Sequence, residues 1–296
     1  MRTAPASATS GACWTSSHEP RRNHCVSATV PRPVAFGGDS LDDLVLKQSD
    51  VFLRLHERAL ERTGGEAKAV AGLLQKHGLP DGGTILDAPC GIGRHAIHLA
   101  GMGFHVSGID TSARFIERAN EFAWKLGLQD RLALKVGDPR TVRDSFPRQT
   151  FDAAICMWQS LGHWDEATDL SILKQFRELT AARGVLVVDL LNRDHLVKHM
   201  TPFGLTRFED GTELHETRRL NYESSHLEMI WEFYKREGED LKHRTTAKVR
   251  VRLYALHELR DLLLRAGWSP LEEFGSFASD PVTFETTRLI AVASKA

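Results

Sequence analysis

Apolar residues recur along this chain at two different spacings. From Leu41 onward, Leu44, Leu46, Val51, Phe52, Leu55 and Leu60 fall at mostly helical intervals. Ala67, Val70, Ala71, Leu73 and Leu74 continue that spacing to a stop near Gly78, so two helices are expected before the first strand. Beyond them, short apolar runs at 84–88, 104–109, 132–136, 152–158 and 185–191 alternate with helical stretches at 93–100, 112–126 and 166–180. Parallel strands must be joined by crossover elements, and strand-helix alternation of this kind builds a mainly parallel sheet covered on both faces. The expected architecture is a doubly wound α/β domain.

The alternation fails in the last third. Segments 212–220, 226–235 and 245–254 read as extended, separated by the turn-like Asn221-Tyr-Glu-Ser-Ser and Glu237-Gly-Glu-Asp. They imply an antiparallel β insertion at about 203–253. In it Leu227, Ile230, Phe233, Val249 and Val251 alternate in part with charged residues, so one face should cover the substrate side of the sheet or join a second copy in a homodimer. A helix at 256–266 stops at Gly267, and 268–274 and 287–293 read as two last strands forming an antiparallel edge.

The first 40 residues follow neither spacing. They are rich in Ser, Thr, Ala, Pro and Arg and hold one acidic residue, Glu19, before Asp39, so residues 1–40 are expected to be disordered and 41–296 to form the domain. A transit peptide would share that composition, but no amphipathic stripe is visible.

Charge and cysteine content narrow the class. With 38 Lys plus Arg against 39 Asp plus Glu, the chain has no global attraction for nucleic acid or anionic membrane. The basic residues Lys242, Arg244, Lys248, Arg250 and Arg252 alternate along one extended segment, which suits a solvated face better than an RNA-binding patch. No apolar run approaches the roughly 20 residues of a membrane-spanning helix. Cys13, Cys25, Cys90 and Cys156 include no C-x-x-C pair, so no disulfide framework or zinc site is indicated and a reducing, cytoplasmic setting is expected.

The most informative stretch is Thr84-Ile-Leu-Asp-Ala-Pro-Cys-Gly-Ile-Gly-Arg-His-Ala, a strand running into a glycine loop that opens a helix. Gly91 and Gly93 permit a tight turn and close approach of a ligand to backbone, and the helix N-terminus supplies free N–H groups. The segment 91–96 fits the G-x-G-x-x-A form of a dinucleotide fingerprint, which leaves an NAD(P)-dependent oxidoreductase open. Asp87 argues against a pyrophosphate there, because a carboxylate in the loop repels it and favours a cationic or zwitterionic ligand. Asp110, in Gly108-Ile-Asp-Thr-Ser, ends the next strand where a carboxylate can accept both hydroxyls of a ribose. Asp138, in Gly137-Asp138, follows the strand after that, where an adenine amino group could donate to it.

In these motifs the chain resembles the class I S-adenosylmethionine-dependent methyltransferases. The likeness runs from about Leu53 to Lys295 and is nearest a bacterial and archaeal small-molecule branch with an antiparallel insertion before the sixth strand. Met157-Trp-Gln-Ser-Leu-Gly-His, Asp189-Leu-Leu-Asn-Arg, Arg252-Leu-Tyr with Glu258-Leu, and Arg288-Leu-Ile-Ala-Val-Ala complete the matching set. The resemblance implies a Rossmann-like seven-stranded sheet with an antiparallel last strand, and S-adenosyl-L-methionine as cofactor. It puts Asp87, Gly91 and Gly93 on the methionine part, Asp110 on the ribose and Asp138 on the adenine, with Ala88 and Pro89 also at the cofactor. Thr111, Pro139 and Trp158 complete the cofactor site. Two departures stand out: Pro139 has no N–H to offer an adenine ring, and Phe52 and His56 stand where relatives often carry tyrosines.

Methyl transfer from a sulfonium asks the protein chiefly for alignment and desolvation. His163, in the segment after the fourth strand, is the first candidate for a proton acceptor. Gln159, Asn192, Arg193 and Tyr254 are the expected substrate contacts. The fourth strand lacks the Asp/Asn-Pro-Pro-aromatic signature of nucleobase amino methylation, which favours a small-molecule substrate. A noncatalytic cofactor-binding member of the fold is the third reading.

Overall fold

The computed structural model describes residues 49–295, so the expectations for residues 1–40 and for a helix beginning at Leu41 fall outside it. Helices α1 (Ser49–Arg58) and α2 (Leu60–Lys76) precede β1 (Thr84–Asp87). There follow α3 (Arg94–Gly101), β2 (His105–Asp110), α4 (Ala113–Lys125) and β3 (Leu132–Val136). A short α5 (Val142–Ser145), unmarked by any periodicity, leads to β4 (Phe151–Cys156), α6 (Glu166–Leu179) and β5 (Thr180–Leu191). These elements lie within a few residues of the positions their apolar spacing implies.

The seven-stranded sheet has the order β10-β11-β5-β4-β1-β2-β3, with β10 (Trp268–Phe274) and β11 (Arg288–Lys295) from the end of the chain. Strands β1 to β5 are parallel, and β11 is antiparallel to both neighbours. As expected, the last two strands form an antiparallel pair at one end of the sheet. β11 lies inside, between β5 and β10, because Leu289, Ile290, Ala291, Val292 and Ala293 are all buried, whereas β10 presents Glu272 and Glu273 to Lys76 and Arg260.

Successive residues of each strand point to opposite faces. Leu86, Ala154, Leu186 and Val188 pack against α6 and α8 (Leu256–Arg265) through Ile172, Phe176, Leu259 and Leu263. Ile85, Ala153, Val185 and Val187 pack against α2, α3 and α4 through Val70, Leu74, Leu99 and Ile116. Gly108 lets β2 lie close to the glycine loop: a Cβ there would come within 2.7 Å of Leu134 and 3.0 Å of the Cys90 Cβ. Because the strands share a direction, the loops after β1, β2, β4 and β5 gather at one edge of the sheet.

After β5, a helix that periodicity did not mark, α7 (Arg193–His199), leads into a four-stranded antiparallel sheet. Its strands are β6 (Phe203–Arg207), β7 (Thr212–Asn221), β8 (His226–Glu237) and β9 (Asp240–Arg252). Register pairs Leu227 with Val251, Met229 with Val249 and Trp231 with Ala247, which puts these six residues on one face. That face meets Phe52 and Leu53 of α1, Ile92 and Phe115. The basic stripe on β9 is matched by acids: Lys242 and Arg244 pair with Glu237, Arg250 with Glu228, and Arg252 with Glu166 and Glu258.

The insertion is fastened to the loop after β4 by a backbone bond, the Arg252 N–H donating to the Gly162 carbonyl at 2.7 Å. Gly162 has φ +89°, and a Cβ on it would lie 2.2 Å from the Arg252 carbonyl oxygen. Gly127 also has positive φ, with open space around it. Gly162→Ala is therefore expected to cost roughly 3 kcal/mol or more, against about 1 kcal/mol for Gly127→Ala. Thermal melts should place Gly162→Ala several degrees below Gly127→Ala. Equal melting temperatures would show that the fastening carries no strain.

Candidate active site

At the edge where those loops gather, a cavity of about 330 Å³ opens between the sheet and the insertion. Its floor is the glycine loop, with Asp87, Pro89, Cys90 and Gly91, and the end of β2, with Asp110 and Thr111. Its roof is Met229, Trp231, Val249 and Val251 of the insertion together with Phe52 and His56 of α1.

The floor is acidic and buried. Asp87 is 1% exposed, and burial pushes its carboxyl up to about 8; Arg94 opposes the rise and Asp110 adds to it. The Asp87 Oδ2 is buried with no hydrogen-bond partner. Asp110 is tied into the backbone: Oδ2 accepts from the Gly91 N–H at 2.9 Å and Oδ1 from the Ser112 N–H at 3.0 Å. This carboxylate thus fixes the glycine loop against the end of β2. Gly91 has φ +57° and a Cβ on it would meet His56 at 2.9 Å, so only glycine lets the loop pass beneath α1.

The wall opposite is the loop after β4. Trp158 and Gln159 both hold positive φ, 59° and 60°, a strained conformation for residues with side chains. Hydrogen bonds over-determine it. The Trp158 N–H donates to Asp189 Oδ2 at 3.0 Å and the Gln159 N–H to the Asp189 carbonyl at 2.9 Å. Gln159 Oε1 accepts from the Leu191 N–H at 2.7 Å, and its Nε2 donates to the Leu161 carbonyl at 2.9 Å. Further along, His163 Nε2 lies 2.8 Å from the Gln159 carbonyl. A carbonyl only accepts, so Nε2 carries the proton and Nδ1, buried without a partner, presents a lone pair. Burial lowers the His163 pKa to about 4, so the ring is neutral near pH 7.

Of the residues expected to bind cofactor, Asp87, Pro89, Gly91, Asp110, Thr111, Pro139 and Trp158 line this cavity, while Ala88, Gly93 and Asp138 do not. Ala88 is buried and Gly93 caps α3. Asp138 is engaged by Arg140, whose Nε and Nη2 donate to its carboxylate at 2.9 and 2.7 Å. Gln159 and His163 line the cavity as well, though the Gln159 amide is occupied by backbone.

Asn192, Arg193 and Tyr254, expected at the substrate, are not among the residues that line this cavity. Tyr254 points into the core, its hydroxyl donating to Asp169 Oδ2 at 2.6 Å. Asn192 caps α7 with its Oδ1 and donates its amide to the Thr283 and Thr286 carbonyls. Arg193 pairs with the neighbouring Asp194. Conversely, Arg94, His95, Arg288, Met229 and Trp231 line the cavity without having been singled out. A signal existed for the last two: Leu227, Met229, Trp231 and Phe233 repeat at period two.

Comparison with known proteins fits this arrangement. Residues 85–184 match the family model described as a methyltransferase domain. Human glycine N-methyltransferase is 29% identical over 147 residues, which cover 46% of this chain and 49% of that protein. The chain thus spans about half the length of the curated relatives it matches first. A solved S-adenosylmethionine-dependent methyltransferase from Clostridium acetobutylicum ATCC 824 superposes with a TM-score of 0.70 at 15% identity, covering 83% of this chain and 98% of that one. The S-adenosylmethionine-bound amino pentose methyltransferase CalS10 from Micromonospora echinaspora gives 0.60 at 20% identity, covering 79% and 92%. These likenesses share the fold, and none supports the oxidoreductase alternative.

The buried groups make stability depend on pH. His56, His95 and His163 are held at about 3, 4 and 4, chiefly by burial, against an ordinary value of 6.5. The unfolded chain therefore binds more protons below 6.5, and stability falls as pH drops below that value. Asp87 acts oppositely: its folded value of about 8 exceeds its ordinary 3.8, so its proton is bound more tightly in the fold and stability falls as pH rises through about 4 to 8. Between pH 6.5 and 8, Asp87 is the only one of these four in its window, with a limiting slope of about 1.4 kcal/mol per pH unit. Melting temperatures of the ligand-free protein should fall across that interval in the parent and stay flatter in Asp87→Asn; parallel curves would overturn this account.

Proposed function

We propose that this chain, a methyltransferase domain on the class I S-adenosylmethionine-dependent fold, transfers a methyl group from S-adenosylmethionine to a small-molecule N, O or C nucleophile. The observation that carries this reading is a single buried cavity that joins an acidic glycine-loop floor, a strained tryptophan wall and an apolar roof. When bound, the cofactor supplies an electrophilic methyl group on a sulfonium. The chain fits it: the unpartnered Asp87 Oδ2 is a ready acceptor for an ammonium group. Asp110 lines the cavity at the end of β2, where a carboxylate is placed to accept from ribose hydroxyls. Cationic neighbours favour the ionised form of Asp87, so binding of a cation there releases its proton.

The remaining residues position the nucleophile and exclude water. Met229, Trp231 and Val249 close the roof with apolar surface, and Trp158 is held in its strained geometry from β5. His163 Nδ1 takes a proton from the nucleophile where one must be lost. Glycine and an amino pentose, the substrates named for the relatives, are small molecules, and we carry that class over. No helix among the described residues is long and apolar enough to cross a membrane, and the described cysteines, Cys90 and Cys156, are free thiols, which supports a cytoplasmic setting. We extend the proposal to a domain of residues 41–296 and to a homodimer through the insertion, whose edge strand β6 exposes Phe203 and Leu205.

Calorimetry separates this from the oxidoreductase reading. S-adenosylhomocysteine should bind and NADH should not; the reverse would overturn the assignment. Asp110→Asn keeps an acceptor but loses the charge, and should weaken S-adenosylhomocysteine by roughly tenfold or more, at about 1.4 kcal/mol per decade. Because Asp110 also ties the glycine loop, a parallel melt distinguishes lost contact from lost fold. His163→Ala should leave that affinity within about threefold while reducing turnover about 100-fold or more if a proton is transferred. Unchanged turnover across the pH range would remove His163 from the mechanism.

A further inference from the structure

Two arginines line the cavity that the methyl transfer does not use. Arg94, at the start of α3, is buried; its Nη1 donates to Thr63 Oγ1 and to Glu66 Oε2, both at 2.9 Å. Its Nη2 is buried with no acceptor, and its guanidinium stacks 4.8 Å from the Trp158 ring centroid. Arg288 comes from the start of β11, paired in register with Leu191 at the end of β5. Its Nη2 donates to Asp189 Oδ2, the oxygen that also receives the Trp158 N–H, and its Nε is buried with no acceptor. Glu66 and Asp189, which hold the two guanidiniums, do not line the cavity; the arginines do.

Two like charges are thus fixed near Trp158, Arg94 over its ring and Arg288 on the carboxylate that takes its N–H, each with one donor satisfied by an outer carboxylate and one left without an acceptor. Buried donors are normally paired, and a planar guanidinium with a free N–H matches an oxyanion. Asp87 and Asp110 supply acidic groups to the same cavity, with Arg94 following directly on the glycine loop that carries Asp87. The rest of the wall is aromatic and apolar, with Phe52, Trp164, Met229 and Trp231, which suits an organic acid with an apolar body rather than a highly hydrated ion.

Resting on the methyltransferase reading, we propose that Arg94 and Arg288 form a carboxylate subsite and that the methyl acceptor is a small organic acid held by its carboxylate over Trp158. The same chemistry has a second source, the carboxylate of the cofactor's own methionine part, and the test separates them.

Benzoate and benzamide, similar in shape and different in charge, are titrated into the full chain saturated with S-adenosylhomocysteine, followed by tryptophan fluorescence and calorimetry. S-adenosylhomocysteine binding is measured first; its absence overturns the methyltransferase reading and this proposal with it. Given that binding, benzoate should bind about tenfold or more tighter than benzamide. Arg288→Gln should erase the preference, with both ligands measured on that variant at saturating S-adenosylhomocysteine, because Arg288 also holds the Asp189 that fixes Trp158. Arg94→Lys keeps the charge, loses the fork and should weaken benzoate several-fold, which keeps the test decisive if Arg288→Gln does not fold. Benzoate and benzamide binding alike, or neither binding to the loaded protein, would overturn the subsite. Benzoate binding only the unloaded protein, displaced by S-adenosylhomocysteine, would overturn it too and assign the guanidiniums to the cofactor.

Discussion

One buried carboxylate organises the working edge of this sheet. Asp189, near the end of β5, is fully buried, and its Oδ2 accepts from the Trp158 N–H and from Arg288. Through the first bond it holds a residue at φ 59° that would otherwise relax, and through the second it fixes a guanidinium on β11. A buried ionised carboxylate is costly unless paired and hydrogen-bonded, and breaking such a pair costs more than the pair contributes. The position of Trp158 therefore depends on a contact made two strands away from its own. The antiparallel placement of β11 beside β5 is what makes that contact possible, because it brings the start of the last strand to the end of β5.

The carboxylates of the floor are treated differently. Asp110 is satisfied by two backbone donors and ties the loop to β2, while Asp87 keeps one oxygen without a partner and holds its proton to about pH 8. Desolvation dominates for Asp87 because the fold buries the carboxyl, and Arg94 offsets only part of that cost. A cation placed beside it reverses that balance, since Coulomb attraction grows as water is excluded. Asp87 is thus favoured as a neutral acid on its own and as a carboxylate beside a cation.

Most of this framework was legible in the chain. The apolar runs of β1 to β5 and the glycine loop are local signals, and the period-two and period-3.6 spacings place them without tertiary information. What was not legible came from distant pairings. Tyr254 reads as an aromatic at a strand end, and only the position of Asp169 on α6 turns its hydroxyl into the core. Asn192 reads as a loop polar group, and the Thr283 and Thr286 carbonyls that absorb its amide lie about 90 residues away. Arg288 falls in a strand expected at the antiparallel end of the sheet, and its place in the cavity follows from the register that sets it beside Leu191 at the end of β5. The insertion's inner face was half seen, since Leu227 and Phe233 share a face with Met229 and Trp231 and not with Ile230.

The division of the insertion into two faces explains why it can be both a roof and a soluble surface. Glu228, buried on the outer side, takes two bonds from Arg219 at 2.9 and 2.6 Å, and Glu213 takes two from Arg236 at 3.1 and 2.6 Å. These pairs sit between neighbouring strands and hold the register, which in a period-two structure decides which side chains face the cavity. A slip of one residue would turn Met229 and Trp231 outward and aim charged side chains into the cavity. A water-excluding roof built from strands, unlike one built from a mobile loop, therefore owes its apolar character to the ion pairs on its opposite side.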